Sequence, residues 1–266
     1  MPIGCRHYPR VLRIERERIA LSLSHYCPTA ASLLVSETPI RLVDATPPLV
    51  LSEPIEGLDA REALPPLLRP GLLMDLEAYT AWETAVVTEF STCRRADIAL
   101  RRIGNATDRL REWRPGTSAL GSAVAGAFAH ADASELSWME QGLPIARRLN
   151  RGVVSLDLIA DREERTPKSD ERTAKSEAQT TDAIERIVAN YLAARVYGNW
   201  IAYQGRGLRT IVTWLFACHD SVRLLMRRGP AEGVPGAIEA IRQADYVMLH
   251  TIDTQEFADA AREVEG

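Results

Sequence analysis

Residues 4–34 hold two of the chain's four cysteines and two of its five histidines, spaced as Cys5-x-His7 and His25-x-Cys27. Two thiolates and two imidazoles are ligand types that suit zinc. They fall short of the four cysteines of a typical iron–sulfur centre. The spacing matches no standard zinc signature, so convergence depends on the elements between the pairs. Runs 11–14 and 18–24 are β-compatible, with Ile19, Leu21 and Leu23 alternating with Ala20, Ser22 and Ser24. A charged turn over 15–17, centred near Arg16, sets opposite positions at numbers that sum to about 32. Cys5 then faces Cys27 and His7 faces His25, and residues two apart share a face of the ribbon. This requires the hairpin to extend past Pro9, which suits only an edge or irregular position. The alternative is a hairpin end that happens to carry sulfur and imidazole. Pro28 sits where a first helical residue belongs, with a short helix continuing over 29–35, and a cysteine at a helix N-terminus tends towards thiolate.

The other chemistry-bearing residues have plainer readings. Cys218-His219 are adjacent on an apolar helical stripe and point about 100° apart, which disfavours a nucleophilic pair and favours a buried thiol. Cys93 lies beside Arg94 and Arg95 at a helix junction. His130 and His250 read as C-terminal helix residues meeting the dipole. Tyr191, Tyr197, Trp200, Tyr203 and Trp214 put many rings on two neighbouring helices; they serve either core packing or a groove for a peptide or methyl-lysine. Asn190, Arg195 and Asn199 are exposed or line a cleft.

What must position these residues is mostly helical. The fold class is mainly α, a multi-helical bundle-like protein with a small N-terminal β-hairpin. We divide it into a cysteine-bearing hairpin segment (1–44), a helical block (45–160), a polar mobile loop (161–181) and a C-terminal helical block (182–266). Prolines 39, 47, 48 and 54 make 38–56 an extended connection. Apolar stripes predict helices over 72–91, 94–113 and 135–149, the last kinked at Gly142-Pro144, and small residues permit one over 117–131. Residues 161–181 contain no Ile, Leu, Val or aromatic residue and cannot offset the entropy of ordering. Asp182-x-x-Glu185 resembles a capping box opening the best stripe, Ile184 to Val196. Gly205-Arg206-Gly207 interrupts it, and stripes over 208–226, 237–250 and 254–264 follow.

With 266 residues, 46% hydrophobic and 26% charged, the composition is that of an ordinary globular protein. A net charge of −4 gives no general attraction to nucleic acid. The most apolar stretch is far short of the roughly 20 residues that span a bilayer. Four cysteines without a C-x-x-C pair, and no leader-like N-terminus, point to reduced thiols in the cytoplasm. There is no G-x-G-x-x-G, P-loop, H-E-x-x-H or G-x-S-x-G, so the commonest nucleotide, protease and hydrolase chemistries leave no footprint.

Cys5, Arg6, Tyr8, Pro9 and Arg10, then Ser22-Leu23-Ser24, then Cys27, Pro28, Ala30 and Ala31 form a pattern, C-R-x-Y-P-R, S-L-S, C-P-x-A-A. It resembles the flagellin lysine-N-methylase family and its wider cysteine-cluster relatives. Ala189-Asn190-Tyr191-Leu192 resembles an N-Y-L segment in that family's C-terminal half. The resemblance implies methyl transfer from S-adenosylmethionine to lysine side chains of flagellin or another protein. It also implies a metal or iron–sulfur centre held by Cys5, Cys27 and a cysteine-rich segment upstream. Here Cys5 lies four residues from Met1 and that segment is missing, so the resemblance implies a shortened relative with impaired catalysis. The alternative is a non-catalytic helical binding or metal-binding protein.

Overall fold

The computed structural model describes residues 8–16, 18–44, 57–93, 95–156 and 171–266, the side chains of residues 171–178 excepted. The mainly helical expectation holds. Strand β1 (Arg10–Ile14) pairs antiparallel with β2 (Ile19–Leu23), and β3 (Leu58–Asp59) adds parallel to β1, giving the order β2-β1-β3. Gly57 permits this approach, because a Cβ there would lie 2.7 Å from Leu12. As the middle strand β1 is buried on both faces, with Leu12 and Ile14 on one and Arg13 on the other. After helix α1 (Pro28–Leu33), β4 (Leu67–Arg69) and β5 (Leu72–Leu73) form a second small hairpin turned by Gly71 at φ 77°.

Helices α2 (Leu76–Thr92), α3 (Ala96–Arg111), α4 (Leu120–Ala129), α5 (Gly142–Leu149), α6 (Glu171–Val196), α7 (Ile201–Gln204), α8 (Leu208–Arg228), α9 (Gly233–Tyr246) and α10 (Thr254–Ala260) follow. Helix α8 is the central rod. It touches α3, α5, α6 and α9 and is buried over most of its circumference, leaving a stripe of Arg209, Asp220, Arg223 and Arg227 towards the surface. Leu100 and Ile103 from the first helical block and Leu192, Leu215 and Ile241 from the second share one continuous core. Gly142 lets α5 approach α8 closely; a Cβ there would meet the Thr213 carbonyl at 2.4 Å and the Ala217 nitrogen at 2.8 Å.

Some expectations are corrected. Helix α2 starts at Leu76 because Asp75 caps it, accepting the Ala78 N–H at 2.6 Å, while Leu72 and Leu73 belong to β5. The kink expected near Gly142 is a 3-10 segment (Ser137–Gln141) leading into α5. Helix α6 begins at Glu171, inside the stretch read as a polar loop; residues 161–170 of that stretch lie outside the described residues. Glu185 therefore caps nothing in its own helix and instead accepts the Ala96 N–H at 3.4 Å at the start of α3. Helix α6 ends before Gly198, whose φ of 75° suits glycine and halts the helix seven residues ahead of Gly205.

The hairpin register differs by one. Arg10 faces Leu23 and Ile14 faces Ile19, so opposite positions sum to 33. The Glu15 N–H donates to the Arg18 carbonyl at 2.9 Å and closes the ribbon one step later than a turn centred on Arg16. The cause is a buried ionic cluster. Arg13 reaches Glu83 of α2 through two nitrogens at 2.8 and 3.0 Å, Arg18 reaches the same carboxylate at 2.7 Å, and Glu15 pairs with Arg13, Arg18 and the Tyr203 hydroxyl. Glu15 and Arg18 are thus ribbon residues with internal partners. A slip of one residue moves every side chain to the opposite face.

Candidate binding cleft and its polar floor

The far end of the hairpin builds the site. The last backbone bond of the ribbon is Ser24 N–H to the Pro9 carbonyl, at 2.7 Å. The chain then turns through His25 and Tyr26 into α1, with Cys27 as the residue before its first turn. Cys27 lies past the last described pair of the ribbon. Cys5 and His7 lie outside the described residues. Among the described residues no three His, Cys, Asp or Glu side chains come together to hold a metal. Cys27 is a free, half-buried thiol, and His25 is buried under the ring of Tyr191, which it meets edge-on at 5.7 Å. Its Nδ1 has no partner among the described residues, and burial, with Arg195 nearby, pushes its pKa down to about 3. His25 is therefore a neutral imidazole at any ordinary pH.

Beside this turn lies a cleft of about 460 Å³. Tyr8, Pro9, Arg10, Ser22 and Ser24 of the hairpin form one wall; Tyr197, Trp200 and Trp214 supply rings, and His250, Ile252 and Asp253 close the other side. Trp200 is held by its indole N–H, which donates to the Leu12 carbonyl at 2.9 Å. Of the rings singled out from sequence, Tyr191 is wholly buried and Tyr203 is bound to Glu15, so neither is a cleft wall. Arg195 and Asn199 are buried and reach the cleft, whereas buried Asn190 donates to the Leu34 carbonyl at the end of α1.

Under the cleft, one carboxylate organises the polar groups. Asp245 of α9 is fully buried; it accepts the Ser24 hydroxyl at 3.0 Å and the Tyr26 N–H at 3.1 Å, and it pairs with Arg195 at 3.4 Å. Arg195 also donates to the Ser22 hydroxyl and the Leu23 carbonyl, which fastens α6 to β2. The Ser24 oxygen lies 3.2 Å from Nε2 of His250. A hydroxyl has one proton, and here it goes to the carboxylate. Nε2 of His250 must then be the N–H donor, which leaves the lone pair on Nδ1 as the proton acceptor. Burial lowers the His250 pKa below the usual histidine value, with Arg195 acting in the same direction and Asp245 against it. The imidazole is accordingly neutral near pH 7.

Sequence reasoning read His250 only as a residue at a helix C-terminus, where it lies, and did not single out Asp245. In a regular helix residues five apart lie about 140° apart. Here α9 runs into a π turn (Val247–Thr251), with Ile252 N–H bonded to the Val247 carbonyl at 3.1 Å, and the widened turn brings both residues to one hydroxyl. The available signal was Asp245 at helical spacing between Ile241 and Met248, a carboxylate on an apolar stripe. The remaining thiols follow the plainer readings. Cys218 is buried, which pushes its pKa up to about 12, and its neighbour His219 bonds Asp220 at 2.8 Å.

Tyr26 and Tyr246 form an aromatic cluster with His250 of the cleft. Ring centroids of Tyr26 and Tyr246 are 5.0 Å apart, His250 lies about 6 Å from both, and the Arg242 guanidinium sits 5.8 Å from the Tyr26 ring. The cleft lining thus combines aromatic faces and a neutral imidazole with the side chains of Arg10, Arg195 and Asp253. No described helix is long and apolar enough to cross a membrane. In comparisons with protein-family models, curated proteins and solved structures, none matches this chain.

Proposed function

We propose that the cleft receives a lysine side chain of a protein substrate, and that the chain is a relative of the flagellin lysine-N-methylases in which this lysine is the methyl acceptor. The observation that carries the reading is convergence: Tyr8, Pro9, Arg10, Ser22 and Ser24, all part of the pattern that resembles that family, line one cleft. Tyr191, from the second segment of resemblance, supports the turn beneath it through His25.

A lysine with its ordinary pKa of about 10.4 enters as an ammonium and has no lone pair to attack a methyl group. Between the rings of Tyr197 and Trp200 it is partly desolvated, which favours the neutral amine. Nδ1 of His250 takes the proton, and Ser24 and Asp245 hold the ring in the tautomer that can do so. The amine nitrogen would then bond to the methyl carbon as the donor's sulfonium carbon–sulfur bond breaks, the electron pair staying on sulfur and the neutral thioether leaving. S-adenosylmethionine, implied by the resemblance alone, supplies that methyl group, and no side chain is assigned to its binding. No step passes through a metal.

The test is transfer of labelled methyl groups from S-adenosylmethionine to flagellin by the purified chain, with His250→Gln as control. Transfer that falls at least tenfold in the variant supports the reading, as removal of a general base costs about 10²–10⁴-fold. Flagellin bound but not methylated assigns the chain to the non-catalytic alternative. Absence of both binding and transfer refutes the proposal.

A further inference from the structure

Among the charged groups that line the cleft, most have a partner inside the protein. Arg195 is neutralised by Asp245 and donates to Leu23 and Ser22. The Asp253 carboxylate accepts the N–H groups of Gln255 and Glu256 at 2.8 and 2.9 Å as the cap of α10. Arg10 differs. It is exposed on the cleft wall and has no carboxylate within ion-pair distance among the described residues. Its backbone is fixed, because it opens β1 opposite Leu23, one residue from the Pro9–Ser24 bond. The cleft that His250 lines therefore also carries a guanidinium with no carboxylate partner among the described residues.

We propose that Arg10 reads an acidic side chain flanking the lysine of the protein substrate. The inference rests on the lysine reading of the cleft and adds to it the sequence context of the acceptor. A planar guanidinium offers two parallel N–H donors that match the two oxygens of a carboxylate, and an amide of the same shape satisfies only one of them without charge. In an extended peptide, residues two apart point to the same side, so an acidic residue at that spacing enters with the lysine. Arg195 cannot take this role, because its charge is already met by Asp245.

The test uses blocked peptides of the form Asp-Gly-Lys-Gly-Asp and Asn-Gly-Lys-Gly-Asn, with affinities measured by calorimetry at low salt. The aspartate peptide should bind wild-type protein about three- to ten-fold more tightly, as expected for a partly exposed bidentate pair. The preference should vanish in Arg10→Gln, partly return in Arg10→Lys, and shrink at 0.5 M salt. Equal affinity of the two peptides for the wild type, a preference that persists in Arg10→Gln, or no binding of either peptide overturns the inference. Norleucine in place of lysine separates this from the parent reading. If the aspartate preference survives that replacement with undiminished affinity, Arg10 acts as proposed and the lysine reading falls.

Discussion

Replacing His25 with phenylalanine should remove part of the protein's acid sensitivity by a calculable amount. The ring is buried against Tyr191, Nδ1 has no partner among the described residues, and its pKa is pushed from 6.5 down to about 3 by burial, with Arg195 adding to the shift and Asp245 opposing it. The folded value is lower than the unfolded one, so the unfolded chain binds the extra proton. Stability from this group is fully present above pH 6.5 and is lost as pH falls from 6.5 towards 3. At pH 5.0 the unfolded histidine is about 1.5 pH units below its pKa and the folded one is still neutral. At about 1.4 kcal/mol per unit this is about 2 kcal/mol of lost stability. Urea unfolding at pH 7.5 and 5.0 measures it. Wild type should lose about 2 kcal/mol more across that interval than His25→Phe, whatever the offset between them at pH 7.5. His250 shifts in the same direction but is present in both proteins and cancels. Parallel losses would refute the assignment of His25 as a buried neutral imidazole.

Other outcomes follow from the same contacts. Glu83→Gln removes the carboxylate that meets Arg13 and Arg18 and leaves the fully buried Arg13 short of charge; chemical denaturation should show a loss of about 3–5 kcal/mol, and a loss under 1 kcal/mol would contradict the ionic-cluster account. Gly142→Ala drives a methyl group into the Thr213 carbonyl and should cost about 1–3 kcal/mol, whereas a neutral result would mean that α5 and α8 separate easily. Nitrogen-15 spectra of labelled histidine should find His250 protonated on Nε2 at pH 8, with the two tautomers mixing in Ser24→Ala. A dominant Nδ1–H form in the wild type would reverse the proton path proposed above.

Helical stripes were legible because a 3.6-residue period needs no knowledge of partners, and α2, α3, α6, α8 and α9 fall on them. The hairpin was legible in existence but not in register. Glu15, Arg16 and Glu17 read as a charged turn, since charge at a turn normally signals exposure. Arg13 and Arg18 find their common partner in Glu83, about 70 residues on, and that pairing cannot be seen from local pattern. Asp182 and Glu185 misled for the same reason, since Glu185 serves another helix. Half of the site was visible: Tyr8, Arg10, Ser22 and Ser24 belonged to a recognised pattern, and Arg195 and Asn199 were candidates for a cleft. The other half was not. His250 and Asp245 gain their meaning from Ser24, more than 200 residues earlier in the chain, and from a π turn that no simple period predicts.

The docking of lysine in this cleft is tested most directly by titrating a lysine peptide into protein labelled at tryptophan and histidine nitrogens. The indole N–H of Trp200, bound to the Leu12 carbonyl, and the ring nitrogens of His250 supply separate signals from the cleft lining. Both should shift together with a common affinity, and neither should respond to the norleucine peptide. Shifts confined to residues away from the cleft, or equal shifts with norleucine, would contradict the account.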